Sequence, residues 1–153
     1  PPKTAYTHNI KALIAQSRSV DKVEPGLVIV DYADKLATEN GGEDDYRDLG
    51  RVYDELIAIG REFNVPIWTA SQTNRNARGK ALASVEDIAD SWQKVANADV
   101  CVSINVSDDE RKRDEMRLYG AKVRRGQDGF QITCKLERNR CYLHQVVGQP
   151  GPA

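Results

Sequence analysis

The apolar residues of the chain fall into a succession of helical and strand patterns. Ile10, Leu13 and Ile14 follow Thr7, a residue able to cap a helix, and predict a helix that carries all three on one face and ends near Val20. Pro25-Gly26 then marks a turn. Leu27 to Val30 is a continuous apolar, β-branched run, the pattern of a strand covered on both faces in a mostly parallel sheet, and it stops abruptly at Asp31. After a polar loop over 39–45, Leu49, Val52, Leu56, Ile59 and Phe63 recur at spacings of three and four and predict an amphipathic helix from Tyr46. Asn64 breaks it, and Val65 to Ala70 reads as a second short buried strand. Strand, helix, strand in this order is a right-handed crossover unit, so the fold class is α/β.

The second half changes character. Residues 73–83 contain Arg75, Arg78 and Lys80, no acid, and no large apolar residue before Leu82, which makes them a basic loop. Ser84 with Asp87 can cap a short helix containing Ile88 and Trp92, and Asp99 to Ile104 predicts a third strand. Ser107 to Glu115 is a mixed charge run, read as a solvated connection. Met116 to Val123, Phe130 to Leu136 and Cys141 to Val147 then read as strands, with Gly126 to Gly129 as the turn between the first two, giving an antiparallel ribbon that extends the sheet. No internal repeat is present.

Composition narrows the class. The chain has 153 residues, 40% hydrophobic and 29% charged, which suits one folded domain over residues 1–147 followed by a flexible tail at 148–153 rich in Pro and Gly. Lys and Arg number 22 against 23 Asp and Glu, a net charge of -1 that argues against binding polyanions by bulk charge. Any nucleic-acid contact must therefore be local. The charge is uneven: residues 31–62 hold ten acids and four bases, and residues 117–140 hold seven bases and two acids. No apolar run approaches the roughly 18 residues of a membrane span and no export signal stands at the start, so a soluble, cytoplasmic protein is expected. Cys101, Cys134 and Cys141 lack zinc-site spacing and read as reduced core thiols. His8 and His144 stand alone and read as ordinary imidazoles.

A few residues could carry chemistry. Asp31 lies at the carboxyl end of its strand, where open α/β sheets bind ligands, and its carboxylate could hold magnesium beside nucleotide phosphates or simply end a strand. Gln72, just past the next strand, shares that rim; its amide can donate to a phosphate oxygen and orient a water, or cap a loop. Lys122 and Arg124 alternate along one strand and project the same way, which suits either an anion or a solvated, charged edge. Arg75, Arg78 and Lys80 suit a flexible grip on a phosphate backbone, or plain soluble surface, and the loop offers no aromatic ring for base stacking.

In combination these features resemble the ATPase domain of DnaB-type replicative helicases, within the RecA-like group, from about Thr7 to Gln145. Leu27-Val-Ile-Val-Asp-Tyr32 is similar to that family's Walker B strand, and the resemblance makes Asp31 the magnesium-side carboxylate. Ser71-Gln-Thr-Asn-Arg75 resembles the family's Ser-Gln-Leu-Asn-Arg, which implies that Gln72 is the γ-phosphate sensor. Asp87 to Asp99 is similar to the segment that follows a DNA-facing loop of the central channel, which places Arg75, Arg78 and Lys80 toward DNA. Ala121-Lys-Val-Arg-Arg-Gly resembles the Lys-x-Arg-Asn-Gly segment that reaches the next subunit's nucleotide, so Lys122 and Arg124 would be fingers acting in trans. The resemblance implies ATP with Mg2+ as cofactor, single-stranded DNA as partner, a ring of like subunits (a hexamer), and contact with a primase or loader.

The sequence departs from the family in two respects. It contains no GxxxxGK[ST], and the family's catalytic glutamate lies upstream of the matched segment. In the family's sheet the P-loop strand lies between those matched by Val65–Ala70 and Asp99–Ile104. With a start at Pro1 and no methionine, a fragment of a longer helicase is expected, inactive alone. Its rivals are a non-catalytic RecA-like assembly or DNA-binding module and a KaiC-like or RadA-like recombination ATPase.

Overall fold

A computed structural model describes residues 5–38, 45–73 and 92–146. The chain divides into two compact units, residues 1–72 and 73–153.

The first unit runs β1 (Ala5–Tyr6), α1 (Thr7–Ser19), β2 (Val28–Val30), a 3-10 turn (Ala33–Lys35), β3 (Leu36–Ala37), α2 (Asp45–Glu62) and β4 (Ile67–Thr69). β2 and β4 pair in parallel, with Val30 opposite Thr69, as the strand-helix-strand pattern requires. β1 and β3, absent from the sequence reading, form a second parallel pair two residues long, too short to show any period. The predicted stripe of α2 is the core. Val52, Leu56 and Ile59 are buried, and Leu49 and Phe63 pack beside them against Val30, Leu36, Ile14 and Val65.

Three details differ from expectation. Ile10 and Ile14 of α1 pack on this core, but Leu13 is 64% exposed, because adjacent helical residues stand about 100° apart and the face that buries Ile14 turns Leu13 outward. Thr7 is not the cap of α1. It is the first helical residue, buried, and its hydroxyl donates to the Glu55 carboxylate, which also accepts from Thr38 Oγ1 at 2.6 Å. Finally, β2 is not covered on both faces: Ile29 is 71% exposed and its register partner Trp68 is 69% exposed. Alternation along a strand places these two on the face opposite the core, where both stay exposed.

The second unit contains α3 (Trp92–Asn97), β5 (Val100–Asn105), α4 (Asp108–Lys112), β6 (Glu115–Val123), β7 (Gln131–Glu137) and β8 (Tyr142–Gln145). Its four strands form an antiparallel sheet in the order β5-β6-β7-β8. The predicted ribbon is thus present, but its ladder takes in the third strand and, among the described residues, does not continue the parallel pairs. The charge run at 107–115 is more than a connection. Ser107 Oγ accepts from the Glu110 N–H at 3.3 Å, and the Ser107 N–H donates to Glu110 Oε2 at 2.7 Å, a capping box that starts α4.

Among the cysteines only Cys134 is a buried thiol; Cys101 is half-buried and Cys141 is exposed. Burial pushes the Cys134 thiol pKa up, and Cys101 is raised the same way against the opposing charge of Lys122. No helix among the described residues is long and apolar enough to cross a membrane. The helix expected from Ser84, and the tail at 148–153, lie outside the described residues apart from the turns of α3.

Candidate functional site

The parallel pairing of β2 and β4 puts their carboxyl ends side by side, so Asp31 and the Ser71-Gln72 segment emerge at one rim of the first unit. The Asp31 carboxylate is exposed and makes no hydrogen bond or ion pair with the described residues. Gln72 is also exposed, and its Nε2 donates to the Tyr32 hydroxyl at 3.3 Å. The residue beside the candidate carboxylate thereby holds the candidate amide.

Beneath them runs a set of hydrogen bonds that the sequence reading missed. Thr69 Oγ1 donates to the Val30 carbonyl at 2.9 Å and accepts from the Ala33 N–H at 2.8 Å, which clamps the turn after Asp31 onto β4. Asp34 accepts from the Tyr53 hydroxyl on Oδ1 at 2.8 Å and from the Ser71 hydroxyl on Oδ2 at 3.2 Å. Both of its oxygens are used, and α2, the turn after β2 and the segment before Gln72 are tied at one point. Burial, and then the neighbouring Asp34 carboxylate, push the Tyr53 phenol pKa well above its ordinary value. The hydroxyl therefore stays a donor. The one local signal of this set was a carboxylate three residues after Asp31, which carries no partner information.

The chemistry of the donor set suits a magnesium nucleotide. Mg2+ is commonly held through one or two carboxylates with the remaining positions left to water and phosphate, and an exposed, uncommitted carboxylate beside a neutral amide matches that need.

Lys122 and Arg124 lie together in the second unit, at the C-terminal end of α3. Lys122 Nζ donates to the Val95 and Ala96 carbonyls at 2.6 and 2.9 Å. Arg124 Nη2 donates to the same Ala96 carbonyl at 3.2 Å, and its Nη1 lies 2.8 Å from Asp99 Oδ1. The pair does project one way, as the strand alternation implied. What the sequence did not indicate is the partner: cations complement the negative end of a helix dipole, and here two of them do so at once. A bulge contributes. Cys101 faces Lys122 and Val102 faces Gly120, so Ala121 is left unpaired and β6 bends just before Lys122. Arg75, Arg78 and Lys80 lie outside the described residues.

Comparison with known proteins adds to this picture. The family model described as the DnaB-like helicase C terminal domain matches residues 3–141. A replicative DNA helicase DnaB of Treponema pallidum is 28% identical over 124 residues, which cover 81% of this chain and 27% of that protein. A DnaB-like replicative helicase of Enterobacteria phage T4 is 22% identical over 129 residues, 82% of this chain and 27% of that protein. The chain thus spans about a quarter of the length of these relatives. Among solved structures, one described as an ATPase domain superposes with a TM-score of 0.81 at 18% identity, covering 93% of this chain and 52% of that one. A DnaB-like replicative helicase described with its interactions with primase gives 0.76 at 20% identity, covering 88% and 33%. The RadB recombinase gives 0.57 at 16% identity, covering 89% and 58%. The fold is that of the RecA-like ATPase domains.

Proposed function

This chain belongs to the DnaB-like helicase C-terminal domain family, and we propose that it forms the distal part of a replicative helicase motor that couples ATP hydrolysis to movement along single-stranded DNA and to duplex unwinding. The observation that carries the reading is the rim of the first unit, where an uncommitted Asp31 and a tethered Gln72 end two paired parallel strands in a chain of this family.

In this reading Asp31 holds the Mg2+ of a bound ATP, an ion that neutralises charge on the phosphates. Gln72 donates its amide toward the γ-phosphate and orients the attacking water, and the Tyr32 hydroxyl keeps that amide at the rim. Lys122 and Arg124 act on the nucleotide of the neighbouring subunit in a ring, a hexamer in our reading, where positive charge stabilises the transferring phosphoryl group. Arg75, Arg78 and Lys80 face the DNA. Working on cytoplasmic DNA, the ring would meet a primase or a loader, as the DnaB-like relative described with primase does. The family match and the lower likeness to RadB both weigh against a recombination ATPase.

The test is DNA-stimulated ATP hydrolysis by the full-length gene product with Gln72→Ala and Arg124→Ala beside it. Each substitution is expected to lower turnover by about a hundredfold or more. Wild-type turnover in both would overturn the reading, as would a full-length product that neither hydrolyses ATP nor binds single strands.

A further inference from the structure

We propose that Asp99, together with the last turn of α3, positions the Lys122 and Arg124 side chains, with Asp99 setting where the Arg124 guanidinium stands. The inference rests on the reading of these two cations as groups that act on a neighbouring subunit's nucleotide.

Asp99 holds Arg124 at both ends of the residue. Its carbonyl accepts from the Arg124 N–H at 2.8 Å, and its carboxylate lies 2.8 Å from Nη1. The Ala96 carbonyl accepts from Arg124 Nη2 and from Lys122 Nζ alike, so one oxygen fixes the spacing between the two cations. Two positive groups placed this close repel unless negative charge is supplied. The helix end supplies a partial charge and Asp99 a full one.

Neither side chain is used up by these contacts. A guanidinium has five N–H donors and an ammonium three, so donors remain on both for a phosphate in the open direction. The pair is therefore pre-organised rather than buried.

Stability does not account for the Asp99 contact. The Asp99 and Arg124 side chains are 78% and 45% exposed, and an ion pair in such a setting contributes little to folding. Position, by contrast, matters steeply, since misplacing a group by about 1 Å can cost roughly a hundredfold in rate. The same bond that hardly affects folding is thus well suited to fixing a finger.

The experiment uses the full-length gene product assembled with ATP, Mg2+ and single-stranded DNA, and measures kcat, KM for ATP and the melting midpoint. Asp99→Ala is expected to lower kcat about tenfold or more with KM and the midpoint unchanged, and Asp99→Glu, which keeps the carboxylate, to stay within about threefold of wild type. Added to Arg124→Ala, Asp99→Ala is expected to cause no further loss. An unchanged or raised kcat in Asp99→Ala while Arg124→Ala is inactive would overturn the positioning role and leave the finger reading intact. A loss that brings the midpoint down with it, or that persists in the Arg124→Ala background, also overturns it. Wild-type turnover in Arg124→Ala would instead sink the underlying reading.

Discussion

The Tyr53 hydroxyl donates to Asp34 Oδ1 at 2.8 Å, joining the middle of α2 to the turn that follows the candidate magnesium ligand. Tyr53→Phe removes this donor from the carboxylate. We expect a loss of about 1–2 kcal/mol in urea unfolding. Asp34→Ala, which also releases the Ser71 hydroxyl, should cost no less and should lower turnover through the loosened Gln72 segment.

The same contact gives an alkaline signature. The Tyr53 pKa is raised in the folded state above its ordinary 10.0, so the stability it represents is complete below pH 10 and declines as pH rises beyond it, when the unfolded chain alone can lose the proton. Wild-type stability should fall between roughly pH 10 and 11.5, and Tyr53→Phe should fall less steeply. Equal slopes for the two proteins would refute the assignment.

Arg117 and Glu110 form the corresponding acid-sensitive pair. Arg117 Nη2 donates to Glu110 Oε2 at 3.1 Å and its Nε lies 2.5 Å from Oε1. Burial alone would raise the Glu110 pKa, but the Arg117 and Ser107 hydrogen bonds outweigh it and the value is lowered below 4.5. The stabilisation is therefore present above pH 4.5 and lost as pH falls through the lower folded value. Arg117→Ala should cost about 2 kcal/mol at neutral pH and remove this part of the acid dependence, as followed by circular dichroism from about pH 7 to 3.

Gly120 carries the Phe130 ring. A Cβ at Gly120 would stand 2.3 Å from the nearest ring atom, while the Gly120 N–H donates to the Phe130 carbonyl at 2.9 Å and holds the two backbones together. Gly120→Ala should expel the ring and cost about 1–3 kcal/mol. In a Phe130→Ala background the same change should cost much less, and additive losses would show that the ring is not the obstacle.

Asp31→Asn separates fold from function. Because the carboxylate has no partner among the described residues, the melting midpoint should stay within about 1 °C of wild type, while Mg2+-dependent hydrolysis by the full-length product should drop about a hundredfold or more. A variant that keeps its turnover would exclude Asp31 as the magnesium-side carboxylate.

Much of this was local information. The apolar period of α2 put Leu49, Val52, Leu56, Ile59 and Phe63 on the face that forms the core, and the abrupt ends of two apolar runs located Asp31 and Gln72, because periodicity and breaks are properties of neighbouring residues. The Ser107-x-x-Glu110 spacing was equally legible, yet a helix of five residues has no apolar period to accompany its cap. Partners were another matter. Periodicity says which face a side chain occupies and not what meets it. That Asp34 would gather Tyr53 and Ser71 from 19 and 37 residues away was decided only when α2 and β4 packed beside the turn. Tertiary structure likewise decided that Lys122 and Arg124 would close the end of α3, since a bulge at Ala121 and a helix some 26 to 28 residues upstream had to be brought to one place.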